Sequence, residues 1–535
     1  VKQQNVTEYA KKYDLPKELL RNMRSQHIDI ELTLKILDKF NNGDFKNQKP
    51  IKVKRIPKVD GIQVINMVGD VRCAVDYRKA CELVGKLNIP YDLSTIGEVQ
   101  GSKISFDRHG LYELGLFLLP FTAYGILNGG SASSYIDYKK NKAFNEKLFE
   151  LYEPEFKKMA HVCRGKAKGI TPAFLQPNGK PGPSFLELKM RAVLIKALEY
   201  EMTTHKKSPL LLPMYQMTSV LNHRQIQHTY EKYRNSPLLK DLIKETGIRI
   251  FNMETGIQPL LAAYTSSSEG ERKQVFSRAF AKSHHALAMP GGHGQNFFVL
   301  KEVYKKLYER GVRYAYLGNV DNLGFTPDPV SLALFALSEK QAAFEFSFKT
   351  PVDVKGGILV VDQHDRFNTA EIGPAISWQE IEKAERRGKK ILFNCAVGLF
   401  NLEYLAHNID SIIEHLPIRF SDQEKDAGSY SQAEQITWEI IGLLDRVLIF
   451  AVDKFERFLA VKMLMEGLMT SGLKLDHKKF PTASNPVEDF KLIARRLHEG
   501  LKDKLTTVYG MTLTNHKWVP KTVAEIKAEI IGSPF

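Results

Sequence analysis

The chain has 535 residues, longer than one typical domain, so two or three folded units are expected. Hydrophobic residues make up 43% and charged residues 26%, which sets aside a disordered chain, and no apolar run approaches the roughly 20 residues that span a bilayer. The formal charge of +15 would suit a polyanion, but the lysines fall in pairs among acids, as at Lys139-Lys140, Lys305-Lys306 and Lys389-Lys390, and no nucleic-acid-binding motif appears. Solvated helix faces account for most of the surplus and a cleft for polyanionic small molecules could account for part of the rest; neither nucleic acid nor membrane is an expected partner.

In chain order, Val1-Lys-Gln-Gln-Asn has no basic region leading into an apolar stretch, so no signal peptide is expected. Cys73, Cys81, Cys163 and Cys395 lie far apart without a CxxC pair, which fits reduced thiols in a cytoplasm better than a zinc site or disulfide framework. Residues 1–115 read as an N-terminal accessory domain that opens helically, with Leu32, Leu34, Ile36 and Leu37 before an Asn-Asn-Gly turn. Over 116–465, strands are predicted at 123–128, 210–214, 248–253, 312–319, 342–348, 358–361, 391–394 and 447–452. Helices are predicted between them at 185–202, 219–233, 296–310, 331–338, 379–387 and 402–415. This alternation predicts an α/β fold with a mostly parallel, doubly wound sheet. The Pro- and Gly-rich stretch 171–184 reads as a mobile loop. From 466 to 535 the chain turns polar and α-helical, most clearly at 490–501.

The segment 289–324 carries the most chemistry. Met-Pro-Gly-Gly-His-Gly leads into an amphipathic stretch, then an apolar strand ending Gly318-Asn-Val-Asp-Asn-Leu-Gly324. A glycine turn before a helix and an acid just past a strand tip suit a nucleotide at the carboxyl edge of an α/β sheet. There Asp321 would hold a hydroxyl or a metal ion. A second glycine turn, Leu-Asn-Gly-Gly-Ser-Ala-Ser-Ser over 127–134, could wrap its N–H groups around a triphosphate, although glycine pairs also form ordinary turns. Lys355-Gly-Gly357 could be a plain hairpin turn, Asn394 could meet a hydroxylated ligand, and Lys462 closes a partly apolar segment, where a lone lysine is commonly a surface residue.

Together these pieces resemble the UTP–sugar-1-phosphate uridylyltransferases, and among them the UTP–glucose-1-phosphate uridylyltransferase branch. The matching residues are Leu127, Asn128, Gly129 and Gly130; the Pro-x-Gly-His-Gly turn with Gly292 and His293; Asn-x-Asp-Asn from Asn319; Lys-Thr-x-x-Asp-Val-Lys-Gly-Gly over 349–357; Phe393-Asn394; and Arg-Phe-Leu-x-Val-Lys ending at Lys462. The resemblance covers about 116–465 and implies a GT-A-like α/β nucleotidyltransferase domain. The chain also departs from the family pattern. The glycine loop continues Ser131-Ala-Ser-Ser-Tyr135, and the counterpart of the family's early Pro-Lys lysine is Lys168, beyond an insertion around 140–163. Met253, in Phe-Asn-Met, stands where the family has a uracil-contacting glutamine.

The resemblance implies attack by a sugar-1-phosphate oxygen on the α-phosphorus of UTP, with glucose-1-phosphate favoured as the sugar and pyrophosphate leaving. Bringing two polyanions together makes positioning and charge neutralisation dominant. Lys168 and Lys462 would clamp phosphates, Asp321 would bind Mg²⁺, and Gly129 and Gly130 would donate N–H groups to the nucleotide. Gly292 would lie against the uracil edge and His293 would donate to the sugar phosphate, with Asn319, Glu371 and Asn394 also on the substrate side. Three other readings stay open: an N-acetylhexosamine-1-phosphate substrate, a catalytically silent nucleotide- or sugar-binding relative, and a nucleic-acid binder resting on net charge alone.

Overall fold

The computed structural model describes residues 2–45, 51–208, 210–350, 352–353, 356–482 and 489–532. Its main sheet is built on β1 (Val64–Asn66), β2 (Thr122–Leu127), β3 (Met214–Ser219), β4 (Glu254–Gln258), β5 (Tyr314–Asn319), β6 (Ala342–Phe348), β7 (Leu392–Asn401) and β8 (Val447–Val452). The order is β1-β8-β6-β7-β5-β2-β3-β4; β7 runs antiparallel to both neighbours, and the other pairs on this path are parallel. The fold is thus mixed α/β with a large, mostly parallel central sheet.

Alternate residues of each strand enter different cores. Tyr124 and Ile126 pack on one side of β2 while Ala123 and Leu127 pack on the other, and β8 divides Leu448 and Phe450 from Ile449 and Ala451 in the same way. A parallel sheet covered on both faces needs such unbroken apolar strands, which is why they were legible in the sequence. The strands at the far edge lie later in the chain than their apolar runs. The expected 210–214 and 248–253 are found at Met214–Ser219 and Glu254–Gln258, where Gln, Thr, Ser and Glu interrupt the apolar signal. The expected strand at 391–394 continues to Asn401.

Segments outside the central stretch join it closely. Strand β1 pairs with β8, and three N-terminal helices (Lys2–Lys12, Lys17–Ser25 and Ile30–Asn42) pack in a satellite core with Leu260, Leu261 and Tyr264. The C-terminal part is not purely helical: besides its helices it forms the hairpin Met511–Thr514 with Lys517–Pro520. The stretch 171–184, expected as a mobile loop, is instead folded back on itself by bridges Pro172↔Ser184 and Leu175↔Pro181. It buries Phe174, Leu175 and Gln176, and Gln176 Oε1 accepts from Trp518 N at 2.9 Å, so its prolines and glycines shape an ordered hairpin. No helix among the described residues is long and apolar enough to cross a membrane.

The insertion forms helices Tyr138–Phe144 and α1 (Glu146–Cys163). Its two ends are pinned side by side by the bridge Ser131↔Ala167 and by Ala132 N donating to Lys166 O at 2.9 Å. Helix α2 (Phe185–Thr204) follows, capped by Ser184, whose Oγ accepts from Glu187 N at 3.2 Å, and it is buried over most of its length.

Candidate active site

The carboxyl ends of β5, β2, β3 and β4, four parallel neighbours, open onto one cavity of about 630 Å³. It is lined by Leu127, Gly129, Gly130, Lys168, Gln258, Gly292, His293, Asn319, Asp321 and Lys462, among others. Ligands of open α/β sheets bind at this edge.

The first wall is the glycine loop after β2. Asn222 Nδ2 donates to the carbonyls of Gly129 at 3.0 Å and Gly130 at 3.3 Å, and Lys168 N donates to Gly130 O at 3.0 Å. The loop's carbonyls are therefore turned toward protein donors. Asn128 does not line the cavity: its side chain is fully buried, with Nδ2 donating to Gln216 Oε1 at 3.2 Å.

The second wall is the turn at 290–294. Gly292 has φ +79°, and a Cβ there would lie 2.3 Å from Gln435 O, so no other residue fits. Its carbonyl accepts from Gln258 Nε2 at 2.7 Å, and Gln295 Oε1 accepts from the same nitrogen at 3.0 Å. Both contacts demand the NH₂ group, which fixes the amide and leaves Gln258 Oε1 alongside Gly129, 3.0 Å from where a Cβ would stand. His293 is held by Thr437, whose backbone N–H donates to Nδ1 at 3.1 Å. The ring proton then sits on Nε2, and burial, assisted by the Lys462 charge, pushes the imidazole pKa down to about 4.

The third wall joins β5 to the segment after β8. Lys168 Nζ lies 3.0 Å from Asp321 Oδ2, donates to Val461 O at 2.5 Å and sits 4.1 Å from the centre of the Tyr135 ring. Lys168 thus reaches the glycine loop although two helices intervene in sequence. Lys462 is exposed at the cavity, with its ammonium 5.9 Å from the Phe393 ring and 5.8 Å from the Phe458 ring. It has no carboxylate partner among the described residues.

Two substrate candidates lie off this cavity's lining. Glu371 is exposed at the end of strand Phe367–Glu371, and Asn394 is within β7, where its Oδ1 accepts from Ala396 N at 2.8 Å. Lys355 lies outside the described residues. Met253 is also elsewhere, 3.5 Å from the Tyr230 hydroxyl through its sulfur; the cavity presents Gln225 and Gln258, and Gln258 is the one set between Gly129 and Gly292. Sequence reasoning missed Gln258, Asn222 and Glu434. Glu434 lines the cavity, with its carboxyl pKa raised by burial and by Glu371.

Asp321 and Glu434 are the carboxylates on the cavity wall, and no group of three metal-ligating side chains occurs among the described residues. That donor set suits a Mg²⁺ ion that takes most of its ligands from water and substrate phosphates, and does not suit an all-protein metal cage.

A family profile described as UTP–glucose-1-phosphate uridylyltransferase matches residues 179–491. The match begins after the glycine loop and Lys168, so those features stand on geometry. A UTP–glucose-1-phosphate uridylyltransferase of Musa acuminata is 26% identical over 309 residues, covering 55% of this chain and 61% of that protein. One from Encephalitozoon cuniculi (strain GB-M1) is 40% identical over 73 residues, 13% of this chain and 15% of that protein. The chain therefore matches less than two thirds of either relative's length. Among solved structures, a UDP-glucose phosphorylase from Trypanosoma brucei aligns with TM-score 0.51 and 17% identity over 84% of this chain and 77% of that one. A uridine diphosphate N-acetylglucosamine pyrophosphorylase from Trypanosoma brucei, in complex with inhibitor, aligns with TM-score 0.56 and 14% identity over 96% and 84%. These two likenesses are of fold.

Proposed function

The chain belongs to the UTP–glucose-1-phosphate uridylyltransferase family, and on that premise we propose that it joins UTP to a sugar-1-phosphate, glucose-1-phosphate by preference, releasing pyrophosphate. The observation that carries the reading is the single cavity that gathers the glycine loop, Gln258, Gly292, His293, Asp321, Lys168 and Lys462 from distant parts of the chain. The finer architecture we propose is a GT-A-like domain over 116–465, with residues 1–115 and 466–535 as additions. Four free thiols are consistent with a cytoplasmic site of action.

In this mechanism the uracil lies between the glycine loop and Gly292. Gln258 Oε1 accepts from a base N–H, which a base bearing N3–H satisfies and one with a bare ring nitrogen does not. A sugar-phosphate oxygen forms the new bond to the α-phosphorus while the bond to the bridging oxygen of pyrophosphate breaks, in line. His293 stays neutral and donates Nε2–H to the sugar phosphate, and Lys462 supplies a mobile positive charge to the phosphates. Lys168 holds Asp321 in the present geometry and turns to phosphate when substrates arrive. Asp321 would hold Mg²⁺ jointly with the triphosphate, and the ion would neutralise phosphate charge.

The test is pyrophosphate release from UTP and Mg²⁺ with glucose-1-phosphate, galactose-1-phosphate and N-acetylglucosamine-1-phosphate supplied separately. Release with glucose-1-phosphate foremost supports the proposal. A folded sample silent with all three would remove it.

A further inference from the structure

Beneath the Asp321 turn lies a buried lysine that the reaction just described does not use. Lys189, on α2, is fully buried, and its Nζ donates to the backbone carbonyls of Asn322 and Phe325. It sits 5.2 Å from the centre of the Phe325 ring and has no carboxylate within ion-pair distance among the described residues. Burying an ammonium without a counter-ion is costly, and an apolar side chain would fill the same space more cheaply.

The carbonyls it holds belong to the turn that carries Asp321. The remaining polar groups of that turn are also tied down. Val461 N donates to Asp321 O at 3.2 Å and Leu323 N donates to Leu459 O at 3.1 Å, which lashes the turn to the segment leading into Lys462. Asn322 Nδ2 donates to Arg457 O at 3.1 Å. From below, the Tyr509 hydroxyl donates to Leu323 O and the Tyr124 hydroxyl to Phe325 O, each at 2.7 Å. Burial, joined by the nearby Arg457 charge, holds the Lys189 pKa well below its ordinary value, while Asp321 and Glu345 pull it upward.

We propose that Lys189 is a positioning residue, a buried amine whose two donated hydrogen bonds order the 319–325 turn and thereby set where Asp321 stands in the cavity. The assignment rests on the uridylyltransferase reading for what Asp321 does, but the ordering of the turn can be measured without it.

Two measurements on the full chain test this, with Lys189→Met and, as a polar neutral alternative, Lys189→Gln. The first is amide hydrogen exchange, in which Leu323, Phe325 and Val461 should exchange faster in the variants while amides of β2 and β3 stay protected. The second is turnover. kcat should fall about a hundredfold, the cost of an ångström-scale misplacement, while KM for UTP changes little because the glycine loop and Gln258 are untouched. In an Asp321→Asn background the same substitution should have almost no further effect on kcat, since Lys189 acts through Asp321. Unchanged exchange at the turn, or a kcat loss fully additive with Asp321→Asn, would overturn the assignment. If neither variant folds, Lys189 is a general structural residue and the positioning role is likewise overturned. A wild-type chain inactive with every sugar phosphate would sink the reading of the site, leaving the exchange comparison to judge Lys189 alone.

Discussion

Lys462 combines exposure at the cavity with freedom from any carboxylate among the described residues, which is the condition for a charge that can follow phosphates through a reaction. Lys462→Ala should lower turnover by orders of magnitude and leave thermal unfolding unchanged, because an exposed lysine contributes little stability; full turnover in the variant would remove Lys462 from the mechanism. His293 makes a different prediction, since its folded-state pKa is about 4 against an ordinary 6.5. The unfolded chain takes up a proton there first, so stability falls as pH drops from 6.5 toward 4, by at most about 1.4 kcal/mol per pH unit, and is level above 6.5. Urea unfolding of the wild type and His293→Gln across that window should show the difference between the two shrinking on acidification; a difference independent of pH would refute the buried neutral imidazole. Of these residues, Asp321, His293 and Lys462 were legible because each sits in a short motif. Gln258 was not: Phe-Asn-Met at 251–253 resembles the expected pattern locally, and only the pairing of β4 with β3 shows that the cavity lies five residues farther on.

At the scale of elements, the glycine loop is shaped as much by a neighbour as by its own glycines. Asn222, in the turn after β3, satisfies the Gly129 and Gly130 carbonyls, and its Oδ1 accepts from Ser219 N at 2.9 Å. Asn222→Ala should raise KM for UTP about tenfold, in keeping with roughly 1–2 kcal/mol for buried hydrogen bonds left unmade, with a smaller change in kcat; steady-state kinetics at saturating sugar phosphate decides it, and an unaltered KM would count against the loop as a nucleotide cradle. The insertion teaches the complementary lesson. Counted along the chain, Lys168 is remote from Gly130, yet the excursion closes on itself and returns the lysine beside the loop. Sequence spacing measures separation only when the intervening residues do not form a unit whose ends meet.

Across the molecule, the C-terminal hairpin is bound to the core by a second buried basic side chain of α2. Arg191 is 1% exposed and donates to the carbonyls of Tyr509, Gly510, Lys521 and Leu238. Ending the chain after residue 508 would strip three of those partners from a buried guanidinium and should cost about 3 kcal/mol or more. Denaturant unfolding measures this, and an undiminished midpoint would show that the hairpin is dispensable. The sequence by itself determined the alternation of elements, the two-faced apolar strands and the short motifs at strand ends, because these depend on local periodicity and on what glycine, histidine and acidic residues do in any turn. Tertiary structure alone decided that residues before 115 supply a strand to the central sheet, that 171–184 is ordered, that Gln258 faces the cavity, and that Lys189 and Arg191 point inward from one helix. Those outcomes depend on which backbone groups meet across hundreds of residues, and no local pattern encodes that.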